Sequence, residues 1–106
     1  MPAAVVYVTV PSVQVAEKMA QDVVEARLAA CANIIPQVQS VYRWEGKISH
    51  DQEAVLIFKT DQDRVTELIS KVRELHEYEV PCITSWPITD ILPEYLEWIV
   101  NSTRPE

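Results

Sequence analysis

The sequence predicts an α+β sandwich, a single sheet with helices on one face, and three observations carry that prediction. Two amphipathic stripes of helical period are interleaved with β-branched runs in the order β-α-β-β-α-β. The two central runs, from Leu28 to Thr60, meet at Glu45-Gly46 and read as one unusually long hairpin. Gly46 is the only glycine in the chain, so the left-handed backbone of a tight hairpin turn is expected there and almost nowhere else.

Ala4 to Val10 is a short apolar run bounded by Pro2 and Pro11, and its β-branched content predicts a buried strand. Ser12 follows as an N-cap. Ala16, Met19, Ala20 and Val23 then recur at helical spacing, with Gln14, Glu17, Lys18, Gln21, Asp22 and Glu25 between them, predicting a helix that ends near Leu28. In the first hairpin strand Val38, Ser40, Tyr42 and Trp44 share one face and Gln37, Gln39, Val41 and Arg43 the other. Pro36 interrupts it. A proline offers no ladder donor, so a bulge or a change of partner is expected at that point. Ala54, Leu56 and Phe58 alternate with Val55 and Ile57, an apolar run that needs cover on both faces. At about 3.3 Å per residue these strands reach roughly 40 Å, more than the core of a domain of about 13 Å radius of gyration requires. The tip must project, and a second copy of the chain is expected to cover it.

Asp61 is the next cap, and Val65, Leu68, Ile69, Val72 and Leu75 trace the clearest helical stripe. Val80 to Ile88 predicts a strand that Pro81 and Pro87 confine to an edge. A last helix starts near Pro93 with Tyr95, Leu96, Ile99 and Val100 as its apolar face, and the tail from Ser102 to Glu106 is expected to fray. This order is the split βαβ arrangement of a ferredoxin-like sandwich, with an added C-terminal helix.

Residues 1–106 fit one domain. At 48% hydrophobic and 24% charged residues the composition excludes disorder. Sixteen acidic against nine basic residues leave a net charge of −7, which argues against nucleic acid and anionic membrane surfaces and is compatible with cation binding. The N-terminal stretch has no signal-peptide pattern, and no run reaches the ~20 apolar residues of a membrane span. A soluble, cytoplasmic protein without membrane insertion is expected. Cys31 and Cys82 form no C-x-x-C pair and are expected to be reduced. Two thiols exclude a four-thiolate iron–sulfur centre, and one glycine excludes a phosphate-binding glycine loop. No nucleophile has a base beside it, so an enzyme is not expected.

The chemistry concentrates in His76-Glu77-Tyr78-Glu79-Val80-Pro81-Cys82. In an extended conformation Tyr78, Val80 and Cys82 share one side and Glu79 faces away. His76 and Cys82 are candidate ligands for copper or zinc. The plainer readings stay open: a histidine closing a helix complements its dipole, and a lone cysteine in an apolar strand is a small core residue. Tyr42, Trp44, Trp86, Tyr95 and Trp98 read first as core and interface packing. Lys59 ends a buried-looking strand and needs a partner or an anion.

LAACANIIP at Leu28 to Pro36, SVYRWEGKI at Ser40 to Ile48, FKT at Phe58 to Thr60, HEYEVP at His76 to Pro81 and YLEWI at Tyr95 to Ile99 resemble, in order, the CutA family of divalent-cation tolerance proteins. The resemblance implies a ferredoxin-like subunit in a tight homotrimer, with hairpins and C-terminal segments interlocking between neighbours. It implies copper binding and a part in the response to metal ions, with no reaction attached. His76 matches the family's histidine. Glu77 stands where proline is usual, Cys82 in the place of a glutamate and Ile91 in that of a glycine, and a thiol in place of a carboxylate moves preference toward copper(I). Tyr42, Trp44, Lys59, Tyr78, Tyr95 and Trp98 match positions near the family's inter-subunit cleft. The resemblance of that trimer to the PII signalling proteins implies a second role, sensing a small anion near Lys59 and Tyr78. A non-catalytic interaction scaffold is the third.

Overall fold

The N-terminal β-branched run becomes β1 (Ala3–Val10), an inner strand with β3 (Lys47–Asp61) on one side and β4 (Ile83–Ile88) on the other. β2 (Cys31–Trp44) lies beyond β3, so the sheet order is β2-β3-β1-β4, antiparallel throughout. The computed structural model describes residues 2–105. Strand side chains alternate between faces, so Ala4, Val6, Val8 and Val10 share one side of the sheet with Ala54, Leu56 and Phe58. Onto that side pack α1 (Val13–Glu25), through Ala16, Met19 and Val23, and α2 (Val65–Leu75), through Val65, Leu68 and Val72. The other face, with Val5, Tyr7, Val55, Ile57 and Lys59, has no helix over most of its length; the segment between α2 and β4 covers it near Val55, and one helix covers it at the opposite end. There α3 (Pro93–Ser102) lays Ile99 against Ala3 and Ala30.

Several helix ends differ from the sequence reading, and each difference has a local cause. Ser12 caps α1 as expected, its hydroxyl accepting from the Val15 N–H at 3.2 Å. The helix stops at Glu25 rather than near Leu28 because Arg27 takes φ 61°, in the left-handed region. Positive φ is therefore not confined to Glu45 (50°) and Gly46 (78°). The Arg27 guanidinium donates to the carbonyls of Arg104 at 2.6 Å and Asn101 at 3.0 Å, which ties down the tail expected to fray. Thr103 is buried and its hydroxyl donates to the Ile99 carbonyl at 2.8 Å; Glu106 lies outside the described residues. Asp61 accepts from the Asp63 N–H at 2.9 Å and so caps a short 3-10 turn, Gln62–Arg64, that leads into α2. β4 is an edge strand as predicted, but it begins at Ile83, past Pro81, and not at Val80.

Pro36 marks the bulge. Ile35 faces Val55 and Val38 faces Glu53, so Pro36 and Gln37 together oppose Ala54. One extra residue inverts the alternation of everything beyond it. Val38, Ser40, Tyr42 and Trp44 therefore fall on the uncovered face, level with Glu53, Asp51, Ser49 and Lys47. β1 ends opposite Ala54, and past that point β2 and β3 continue alone as an arm. The molecule measures 45 × 26 × 22 Å. The left-handed pair Glu45-Gly46 closes the tip, as a two-residue hairpin turn requires.

Candidate functional site

Between α2 and β4 the chain crosses the uncovered face at the root of the arm, and the two enclose an open cavity of about 760 Å³. Tyr7 and Thr9 of β1 form its floor, Tyr42, Trp44, Asp51 and Glu53 come from the arm, and Tyr78, Glu79 and Cys82 from the crossing segment. Residues 78–80 bend rather than run extended, which brings Glu79 into the lining instead of facing it away.

His76 sets the path of that segment. Its Nδ1 lies 3.2 Å from the Tyr78 backbone N–H, which can only donate, so Nδ1 is the acceptor. Nε2 then carries the proton and donates to the Thr9 carbonyl at 2.7 Å. The imidazole is the neutral Nε2–H tautomer, bridging β1 to the segment after α2, and it packs against Tyr78 with ring centroids 4.6 Å apart and the planes tilted by 46°. Cys82 is exposed, lines the cavity, and reaches the same residue by its backbone, accepting from the Thr9 N–H at 3.4 Å. His76 and Cys82 thus flank Thr9 without forming a donor pair, because both imidazole nitrogens are occupied. Among the described residues no three His, Cys, Asp or Glu side chains converge as a metal cluster.

Two tyrosines bind carboxylates in the cavity. The Tyr78 hydroxyl donates to Glu53 Oε2 at 2.9 Å, and the Tyr42 hydroxyl donates to Asp51 Oδ2. Burial, and after it the bond to Glu53, pushes the Tyr78 phenol well above its ordinary pKa; the bond to Asp51 raises Tyr42. Both stay neutral donors at neutral pH.

The remaining sequence-predicted cleft residues lie elsewhere. Lys59 donates to Asn33 Oδ1 at 2.8 Å. Next to it across the ladder is Cys31, whose Sγ is 3.5 Å from the Tyr95 hydroxyl, and Tyr95 stacks on Trp98 at 5.5 Å. Along β3, Lys59 is about 20 Å from Glu53 at about 3.3 Å per residue. The structure therefore sorts the cleft residues into two groups on one face: Tyr42, Trp44 and Tyr78 at the arm, and Lys59, Tyr95 and Trp98 at the α3 end. Asp51 and Glu53 were not singled out from the sequence, and Glu79 was expected to face away. The signal for the first two was available, since pairing outward from Gly46 sets Asp51 opposite Ser40 and beside Tyr42.

The family model described as CutA1 divalent ion tolerance protein matches residues 4–102. The chain is 48% identical over 104 residues to Protein CutA, chloroplastic, of Arabidopsis thaliana, covering 98% of this chain and 57% of that one. It is 46% identical over 99 residues to the Divalent-cation tolerance protein CutA of Thermus thermophilus, covering 93% and 96%. Against the crystal structure of CutA1 from Oryza sativa the TM-score is 0.95 at 43% identity, covering 100% of this chain and 97% of that one. The structure described as a periplasmic divalent cation tolerance protein CutA from Archaeoglobus fulgidus superposes with a TM-score of 0.93 at 37% identity, covering 96% and 99%. The chain spans 57% and 59% of the two plant relatives' own lengths. Among the described residues no helix is long and apolar enough to cross a membrane. Matched along nearly its whole length, the chain belongs to the CutA1 divalent ion tolerance protein family.

Proposed function

We propose that the protein works as a homotrimer of ferredoxin-like subunits in the cytoplasmic response to divalent metal ions, binding copper or a similar ion rather than catalysing a reaction. Family membership and the names of its relatives support the role, and the strand order β2-β3-β1-β4 supports the topology. The observation that carries the binding reading is the exposed Cys82 thiol in a cavity lined by Asp51, Glu53 and Glu79.

His76 does not fit a metal in this arrangement, since neither ring nitrogen has a free lone pair. Cys82 fits a soft ion such as copper(I). One thiolate is not a closed set, so further donors come from a neighbouring copy. Calorimetric titration of the assembled protein with copper and zinc tests this. Cys82→Ala is expected to weaken copper binding at least about tenfold, the order of one lost charge-assisted contact, while His76→Asn leaves it within about twofold. The reverse pattern overturns the assignment to Cys82.

A second reading, a PII-like sensor of a small ligand, rests on the cavity itself. Its volume of about 760 Å³ lies within the ~300–1,000 Å³ of small-molecule sites, and its walls combine aromatic rings with a few polar groups.

A further inference from the structure

We infer that assembly is switched by pH through His50, whose protonation drives the copies apart. This rests on the homotrimer reading and adds its regulation. His50 lies in the arm on β3, directly opposite Val41 of β2, and the next residues of β3 on the same face are Ile48 and Gln52. Val41 and Ile48 are exposed apolar side chains within one subunit. β1 ends opposite Ala54, so β2 alone faces His50 from the same chain. Only another copy can cover this face, and an imidazole in the middle of it is then taken out of water. Among the described residues of the face, from Gln39 to Gln52, Arg43 alone is charged; it stands opposite Ile48 and so diagonal to His50. Lys47, Asp51 and Glu53 alternate onto the other side of the arm.

A neutral imidazole suits that place and an imidazolium does not. Burial disfavours the charged form, and a proton on His50 adds a second cation diagonal to Arg43, about 7–8 Å away across the ladder. The assembled state therefore holds this proton less readily than the separated chains. Assembly is favoured above the imidazole range and weakens as pH falls through it, near about pH 6.5. Each copy that must shed a proton changes the association constant by up to about tenfold per pH unit, and interlocked copies multiply the effect. Carboxyl groups titrate near about pH 4 and thiols near about pH 8.5, which leaves the interval between to the histidines. The chain has two. The other, His76, is held within the subunit between the Thr9 carbonyl and the Tyr78 N–H, so it serves as the control.

The test is sedimentation velocity of the full chain over a dilution series at about pH 7.5 and about pH 5.5, on either side of the imidazole range. A fixed denaturant concentration is used at which the native chain is half assembled at micromolar concentration at the higher pH. The expected result is a rise of at least about tenfold in the half-assembly concentration on acidification. His76→Asn is expected to keep that rise. His50→Gln and His50→Leu, the second suited to an apolar face, are expected to lose it; His50 is exposed in the subunit, so neither change touches the helix-packed core, and far-ultraviolet circular dichroism checks this. A rise that persists in either His50 variant overturns the proposal. So does a native assembly that tightens on acidification, the sign of a neighbour's carboxylate set against the imidazole. A native trimer indifferent to pH overturns the switch and keeps the trimer, whereas a chain that is monomeric at both pH values without denaturant overturns the homotrimer reading and the switch together.

Discussion

Tyr95 shows how much one contact between distant residues can decide. Its hydroxyl lies 3.5 Å from Cys31 Sγ, and that bond, with burial, pushes its pKa from 10.0 up to about 12. The folded chain keeps this proton at pH values where the unfolded chain releases it. Stability from the shift is therefore complete below pH 10 and is lost as pH rises from 10 toward 12. Tyr78, raised in the same direction, adds to the decline. Tyr95→Phe is expected to flatten the alkaline fall of the urea midpoint between about pH 9.5 and about pH 11.5 and to leave the profile near neutrality unchanged; an unchanged alkaline slope counts against the contact. Residue identities were legible in the sequence to the extent that local pattern governs them. Ser12 as a cap and His76 as a helix-closing histidine follow from neighbours a turn away. What His76 bonds does not, because Thr9 lies 67 positions upstream. Arg27 is the same case: nothing around it in the sequence marks a left-handed residue, and the carbonyls that receive its guanidinium are 74 and 77 positions off.

Among the elements, the hairpin was the most legible and the bulge the most consequential. Its long strands, its turn and the break at Pro36 all came from residue type. The face on which Tyr42 and Trp44 emerge came from the number of residues between Ile35 and Val38, which no propensity reports. That count also decides which aromatics meet Glu53 and Asp51, so the candidate site was only half visible before the register was known. The bulge is thus a property of spacing and not of proline chemistry. Pro36→Ala keeps the spacing and is expected to change stability by no more than about 1 kcal/mol, mainly through the unfolded chain. Deleting Gln37 restores strict alternation, which must flip either Tyr42 and Trp44 or Ala32 and Ile34 to the opposite face. The deletion is expected to lower the melting temperature and abolish assembly as read by light scattering, while Pro36→Ala retains both. Equal behaviour of the two variants removes the argument from parity.

The whole molecule is shaped by what its own core leaves uncovered. Val41 is 63% exposed and Ile48 56%, on the face of the arm opposite Tyr42 and Trp44, which are each 40% exposed. An arm that exposes large apolar side chains on both faces and is held by only two strands has no stability of its own to spare. Trp86 on the edge strand and Trp98 on α3 continue the exposed apolar surface over the rest of that side. Burying one such side chain contributes about 1.5–3 kcal/mol, so arms interlocked as in the proposed homotrimer would gain enough to hold several copies together at micromolar concentration. The native chain is therefore expected to elute at about three times its 12.1 kDa and to melt at a temperature that rises with concentration. Val41→Glu with Ile48→Glu places two carboxylates in that interface without touching the helix-packed core of Leu56, Phe58 and Leu68. It is expected to yield a 12.1 kDa species whose far-ultraviolet circular dichroism stays close to native, with the melting temperature no longer dependent on concentration. Under the proposed copper site, whose donor set a neighbouring copy completes, copper affinity is expected to fall with the assembly, although Cys82 itself is unaltered. A folded monomer that binds copper as tightly as the native protein would separate the metal site from the oligomer, and the donors would then have to be found within one chain.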